Sequence, residues 1–216
     1  PVHPRLHRPH RGALRLRTGP YSRAEPHFRF MDAPISSPVV LPVRGHHPRF
    51  GQDNWLAPNC TVVGDVVTGD DCSIWFGAIV RGDVCAIRLG TRVNIQDGAV
   101  LHGTWEKTDL TIGDGASIGH NAIVHGCTVE AGALIGMGAV VMDRAIVGEC
   151  AVVAAGAVVL EGTRIGAGEL WAGVPARKVK DVGDELKQHL SATAERYRVY
   201  AGWFEENGGR QAQSGS

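Results

Sequence analysis

From about Val62 to Pro175 the sequence repeats itself every six residues, and this period limits the possible folds more than any other feature. Ile112 opens IGDGAS, Ile118 opens IGHNAI, and Val124 opens VHGCT, a frame one residue short. The frame resumes at Val129 and continues through Ile135, Val141, Val147, Val153, Val159 and Ile165. Ala116, Ala122, Ala133, Ala139, Ala145, Ala151 and Ala157 take the fifth position. A six-residue period suits neither an amphipathic helix, with its period of 3.6, nor an alternating strand, with its period of 2. It suits a coil in which each hexapeptide makes one short strand and a turn. The aliphatic residue points inward, the small residue sits near the corner, and glycine relieves the corners where φ is positive. Stacked coils bury a continuous core that no single repeat could bury alone. Looser frames are visible earlier, around Val63-Gly64, Leu89-Gly90 and Ile95.

Composition agrees with this reading. There are 29 glycines, yet apolar residues make up 44% of the chain, so glycine punctuates a hydrophobic sequence and does not mark a disordered one. The net charge of zero is unevenly spread: seven arginines and one acid fall in 1–30, leaving 15 basic and 21 acidic residues in 31–216. A mildly acidic body argues against a nucleic-acid partner. No apolar run is long enough to span a membrane, and no apolar signal core is present, so no membrane partner is expected. Cys60, Cys72, Cys85, Cys127 and Cys150 are odd in number and show no C-x-x-C spacing. They read as buried small hydrophobes in a reducing, cytoplasmic setting.

Residues 1–35 are expected to be a disordered basic extension, either a start-site extension or a basic targeting peptide. The solenoid is expected over 44–180. Residues 183–206 carry Leu186, Leu190, Tyr197, Ala201 and Phe204 at helical spacing, with Asp184 and Glu185 near the N-terminus as the helix dipole favours. They predict an amphipathic C-terminal helix along the coil, with Tyr197, Tyr200, Trp203 and Phe204 as packing residues. The tail 207–216 is expected to be disordered.

Three histidines lie inside the repeats: His102, His120 and His125. His102 and His125 both hold the second position of a frame. They are separated by one 18-residue turn plus five residues, and the period breaks between them in GTWEKTDLT (103–111). If that segment protrudes as a loop, the two imidazoles stack on neighbouring coils. His120, third in its frame, points elsewhere, so a symmetric oligomer could bring one subunit's His120 to another subunit's pair. Three imidazoles with one open position make a catalytic rather than a structural zinc arrangement.

The stretches IVRGDV (79–84), NIQDGAVLH (94–102) and IGHNAIVHGC (118–127) resemble the gamma-class carbonic anhydrases, and the repeats are similar to the wider hexapeptide-repeat family. The resemblance implies an all-β solenoid, a left-handed parallel β-helix with a C-terminal α-helix. It implies a homotrimer with metal sites shared between subunits, His102 and His125 coming from one subunit and His120 from the next. The expected ion is Zn2+, with Fe2+ or Co2+ as other occupants that imidazoles accept. The expected reaction is hydration of CO2 to bicarbonate by a zinc-activated hydroxide. Arg81 and Asp83 match the family's ion pair across the interface, Gln96 its glutamine facing the hydroxide, and Asp97 a supporting acid. Val84 stands where the archetypal enzyme has a glutamate, and Leu170-Trp171 where relatives place a tyrosine or asparagine near the metal. The loop acids are Glu106 and Asp109. The alternatives are an acyltransferase, an acyl-CoA thioesterase, or a non-catalytic metal-binding assembly protein.

Overall fold

The computed structural model describes residues 37–206; the basic extension 1–35 and the tail 207–216 lie outside the described residues. Short parallel strands follow one another around three flat faces, making a left-handed parallel β-helix. One face stacks Val62, Val80, Leu101, Val124, Val141 and Val159 in register. A second stacks Leu89, Ile112, Val129, Val147 and Ile165. The third stacks Leu56, Ile74, Ile95, Ile118, Ile135, Val153 and Trp171. Apart from Trp171, which packs against the core partly buried, these side chains are buried. Burying each aliphatic one contributes about 1.5–3 kcal/mol. The frame-opening residues of the sequence are thus the axial core.

Strands Thr61–Thr68 and Ile79–Leu89 run on around a corner and join the first two faces into an eleven-stranded sheet. At that corner Gly64 and Gly82 are register partners, and a Cβ on Gly64 would lie 2.2 Å from the Gly82 carbonyl oxygen. Neighbouring coils can close there only without a side chain. The ladder also starts ahead of residue 44, because Val39–Leu41 pairs in parallel with Thr61–Val63.

The regular step between stacked partners is 18 residues, as from Val141 to Val159 (159 − 141). Three consecutive steps depart from it. Val80 to Leu101 takes 21 (101 − 80), Leu101 to Val124 takes 23 (124 − 101), and Val124 to Val141 takes 17 (141 − 124). The extra residues of the second form the loop around 103–109, and the short third step falls at Gly126.

The last coil ends in an antiparallel hairpin of Glu169–Gly173 with Ala176–Asp181. Helix Asp184–Glu206 then returns along the third face. Tyr197 and Phe204 pack on Trp75, and Phe204 also meets Trp55 and Phe76, while Leu190 and Ala201 are buried. Trp203 remains largely exposed. No described helix is long and apolar enough to cross a membrane. All five cysteines are free; burial pushes the thiols of Cys60, Cys72 and Cys127 up to about 12 and that of Cys85 to about 11.

Candidate metal centre

Strands Val100–His102 and Ile123–His125 are neighbours in one ladder, and His102 and His125 are register partners. Leu101 and Val124 point into the core, so alternation turns both histidines outward on the same face. Nδ1 of His102 and Nε2 of His125 lie 3.1 Å apart. The outer nitrogens face carboxylates: His102 Nε2 lies 3.0 Å from Asp83 Oδ1, and His125 Nδ1 lies 2.5 Å from Asp143 Oδ1. Each carboxylate accepts an N–H, which assigns the tautomers: His102 is protonated at Nε2 and His125 at Nδ1. The two inner nitrogens then meet lone pair to lone pair, an arrangement that calls for a cation between them. Two ligand nitrogens on one tetrahedral zinc, with bonds of about 2.0–2.1 Å, stand roughly 3.3 Å apart. The donor set therefore fits a divalent metal.

The electrostatics favour a neutral His102 and ionised Asp83 and Asp143. Burial lowers the pKa of His102, and Arg81 and His125 lower it further against the opposing bond to Asp83. Burial works to raise the Asp83 pKa, but hydrogen bonds from Arg81 and His102 outweigh it and hold the group below its usual range. Asp143 is likewise held down, against the opposing effect of burial, by hydrogen bonds from Thr104 and His125. Arg81 Nη1 donates to Asp83 Oδ2 at 2.6 Å within the chain. Asp83 thereby links the arginine to a candidate ligand.

Gly126 makes room for this arrangement. Its φ is +50°, and a Cβ there would stand 2.1 Å from Thr108 Oγ1 and 2.3 Å from Asp143 Oδ1. The one-residue contraction of the frame brings the backbone this close to the carboxylate that holds His125.

His120 belongs to a separate cluster. Its Nδ1 lies 2.7 Å from Asp97 Oδ2, and its Nε2 lies 3.3 Å from the Tyr197 hydroxyl on the C-terminal helix. Buried Gln96 donates to Asn94 Oδ1 at 3.0 Å, and Asn94 donates to Ser117 Oγ at 2.7 Å. The fold thus gathers His102, His125, Arg81 and Asp83 in one place, and Gln96, Asp97 and His120 in another. Among the described residues no group of three or more histidines, cysteines or acids converges as a metal site within one chain. Of the loop acids, Asp109 accepts the Ala86 N–H at 2.8 Å, while Glu106 is exposed at the tip. Trp171, in the last coil, donates to Glu169.

Sequence reasoning missed Asp143, Thr104 and Tyr197. Asp143 lies 18 residues after His125 but one position past its register partner, because this coil step is 17 residues, so the regular period does not point to it. Tyr197 reads as packing, and only the helix's docking brings its hydroxyl to His120.

No protein-family model matches the chain. Over 166 residues it is 41% identical to "Gamma carbonic anhydrase 2, mitochondrial" of Arabidopsis thaliana, covering 74% of this chain and 59% of that protein. The chain thus spans less than two thirds of that relative's length. It is 34% identical over 167 residues to Protein YrdA of Escherichia coli, covering 74% of this chain and 91% of that one. Among solved structures, a hexapeptide transferase family protein from Anaplasma phagocytophilum superposes with a TM-score of 0.74 at 38% identity, covering 77% of this chain and 98% of that one.

Proposed function

Because this chain belongs to the gamma carbonic anhydrase-like branch of the hexapeptide-repeat family, we propose that it hydrates CO2 to bicarbonate at a zinc site shared between subunits of a homotrimer. One observation carries this reading. His102 and His125 turn two lone pairs toward one point, each fixed from behind by a carboxylate, while His120 is held elsewhere. His120 of a neighbouring subunit completes the donor set. Zinc, when bound, supplies a Lewis acid that brings the ionisation of a coordinated water close to neutrality; iron(II) and cobalt(II) suit the same imidazoles.

The chain's own residues do the positioning. Asp83 and Asp143 keep the inner nitrogens free of protons. Asp97 holds His120 by Nδ1, so Nε2 would be its donor atom, in exchange for the contact with the Tyr197 hydroxyl. Gln96, fixed by Asn94, reaches the shared site with His120 because the two lie on adjacent coils: the strands holding Asn94–Ile95 and Ser117–Ile118 pair directly. A neutral amide orients the attacking water without cancelling its developing charge. Subunit packing is supported by an apolar ladder beside the histidine pair. Ile79, Val100, Ile123, Val140 and Val158 stack in register on the outside of the same face, Ile79 and Ile123 exposed and the three valines half-buried. Such a contiguous outward stripe suits a second copy of the chain. Free buried thiols suit a reducing compartment such as the cytoplasm.

A second reading, acyl transfer or acyl-thioester hydrolysis, draws on an apolar cleft of about 480 Å3 beside His120, lined by Leu134, Met137, Val152 and Tyr200. Stopped-flow CO2 hydration by zinc- and iron-loaded protein separates the two. Catalysis lost in His102→Ala supports the carbonic anhydrase reading. A rate no faster than background from about pH 6 to 9 overturns it, and metal-dependent acyl-CoA hydrolysis in the same preparation favours the second.

A further inference from the structure

The loop that interrupts the frame after His102 does more than protrude. Thr104 Oγ1 donates to Asp143 Oδ2 at 2.7 Å, and Asp143 Oδ1 accepts the His125 Nδ1–H. Both oxygens of the carboxylate are thereby engaged, one by the ligand and one by the loop. A carboxylate bonded at one oxygen only can swing about its terminal torsion, which is broad for Asp; one bonded at both cannot.

The loop is itself anchored at several points. The Thr104 N–H donates to buried Thr108 Oγ1 at 3.0 Å, and the N–H groups of Lys107 and Thr108 both return to the Thr104 carbonyl at 3.1 Å. This closes a tight turn behind the threonine hydroxyl. Asp109 accepts the Ala86 N–H from the preceding coil. At the tip, the Arg44 guanidinium lies 4.2 Å from the centroid of the Trp105 ring, joining the loop to the turn near the start of the described chain.

Resting on the metal-site reading above, we propose that the 103–109 loop is a strut that fixes His125 through Thr104 and Asp143, with Thr104 as a positioning residue for metal binding. The loop thus sets zinc affinity without contributing a ligand. Partners of this kind behind a metal-bound histidine shift affinity about 10–100-fold when lost.

The test uses the full chain stripped of metal and titrated with zinc(II) against a chromogenic chelator, with the cobalt(II) visible spectrum as a second readout. Thr104→Val keeps the shape and removes the hydroxyl; it is expected to weaken zinc binding about 10–100-fold and to alter the cobalt spectrum. Thr104→Ser restores the donor and is expected to return both to wild type. Trp105→Ala loosens the exposed tip and is expected to weaken zinc several-fold. It also serves as the probe should Thr104→Val fail to fold. Wild-type zinc affinity in Thr104→Val, or in Trp105→Ala, overturns the strut and leaves the metal site standing. Absence of zinc binding by the wild-type chain overturns both.

Discussion

Replacing Gly126 by alanine should damage the histidine pair from below, and the size of the effect follows from the geometry. The φ of +50° in itself costs an L-residue about 1–2 kcal/mol. The new methyl would also stand 2.3 Å from Asp143 Oδ1 and 2.1 Å from Thr108 Oγ1, well inside contact distance. The carboxylate must move, and its charge-assisted bond to His125 is worth about 1.5–3 kcal/mol. Gly162 is the control: its φ is +69° and nothing lies within 4 Å of a built Cβ, so Gly162→Ala carries only the backbone cost. The two variants should therefore differ by roughly 1.5–3 kcal/mol. At about 2–4 °C per kcal/mol for a chain of this size, that is a Tm difference of roughly 3–12 °C. Thermal unfolding followed by circular dichroism in excess chelator measures it without interference from metal. Zinc titration should show a 10–100-fold loss in Gly126→Ala and none in Gly162→Ala. Equal Tm losses together with equal zinc affinities would refute the claim that Asp143 depends on this space to hold His125.

Other perturbations probe separate parts of the account. His120→Ala should lower zinc stoichiometry as much as His102→Ala does; full stoichiometry in metal analysis of His120→Ala would rule out a site shared between subunits. The thiols held near 11–12 should resist iodoacetamide at neutral pH until denaturant is added, with half-buried Cys150 reacting first; rapid native labelling of Cys60, Cys72 or Cys127 in mass spectra would contradict the closed core. Lys178 above all, with help from Trp171 and the Gly166 N–H, holds the Glu169 carboxyl at about 2 instead of 4.5. Its folded value is depressed, so its stabilisation is complete above about 4.5 and is lost as pH falls toward about 2. Glu169→Gln should flatten the acid-unfolding profile in that window, and an unchanged profile would count against the pairing.

The solenoid was legible because its core obeys one local rule. Ile112, Ile118, Val129, Ile135 and their fellows are identifiable by period alone, and each is buried on the axis. The pairing of His102 with His125 was legible for the same reason, once the break at 103–111 was read as an excursion. What escaped was everything decided by side-chain direction at corners and in the loop. Asp143 looks like any polar corner residue until the 17-residue step at Gly126 sets it one position past the register partner of His125. Thr104 sits in a stretch without period, where bonds to Thr108 and Asp143 define the shape. Tyr197 carries a helical packing signature that says nothing of a hydroxyl 77 positions from the histidine it meets. Periodicity reports where the backbone goes; these contacts depend on which elements meet.

The 23-residue step has one more consequence. A parallel ladder aligns residues by their rank within a coil and ignores the length of chain travelled between coils. The distance from His102 to His125 is therefore blind to the length of the excursion that separates them, provided Leu110–Ile112 rejoins the second face. The excursion can lengthen or shorten while His102 and His125 stay register partners, although the setting of the His125 ring still runs through Thr104 and Asp143. Backbone register and ring support are thus written in different places in this scaffold, one in the ladder and the other in the loop.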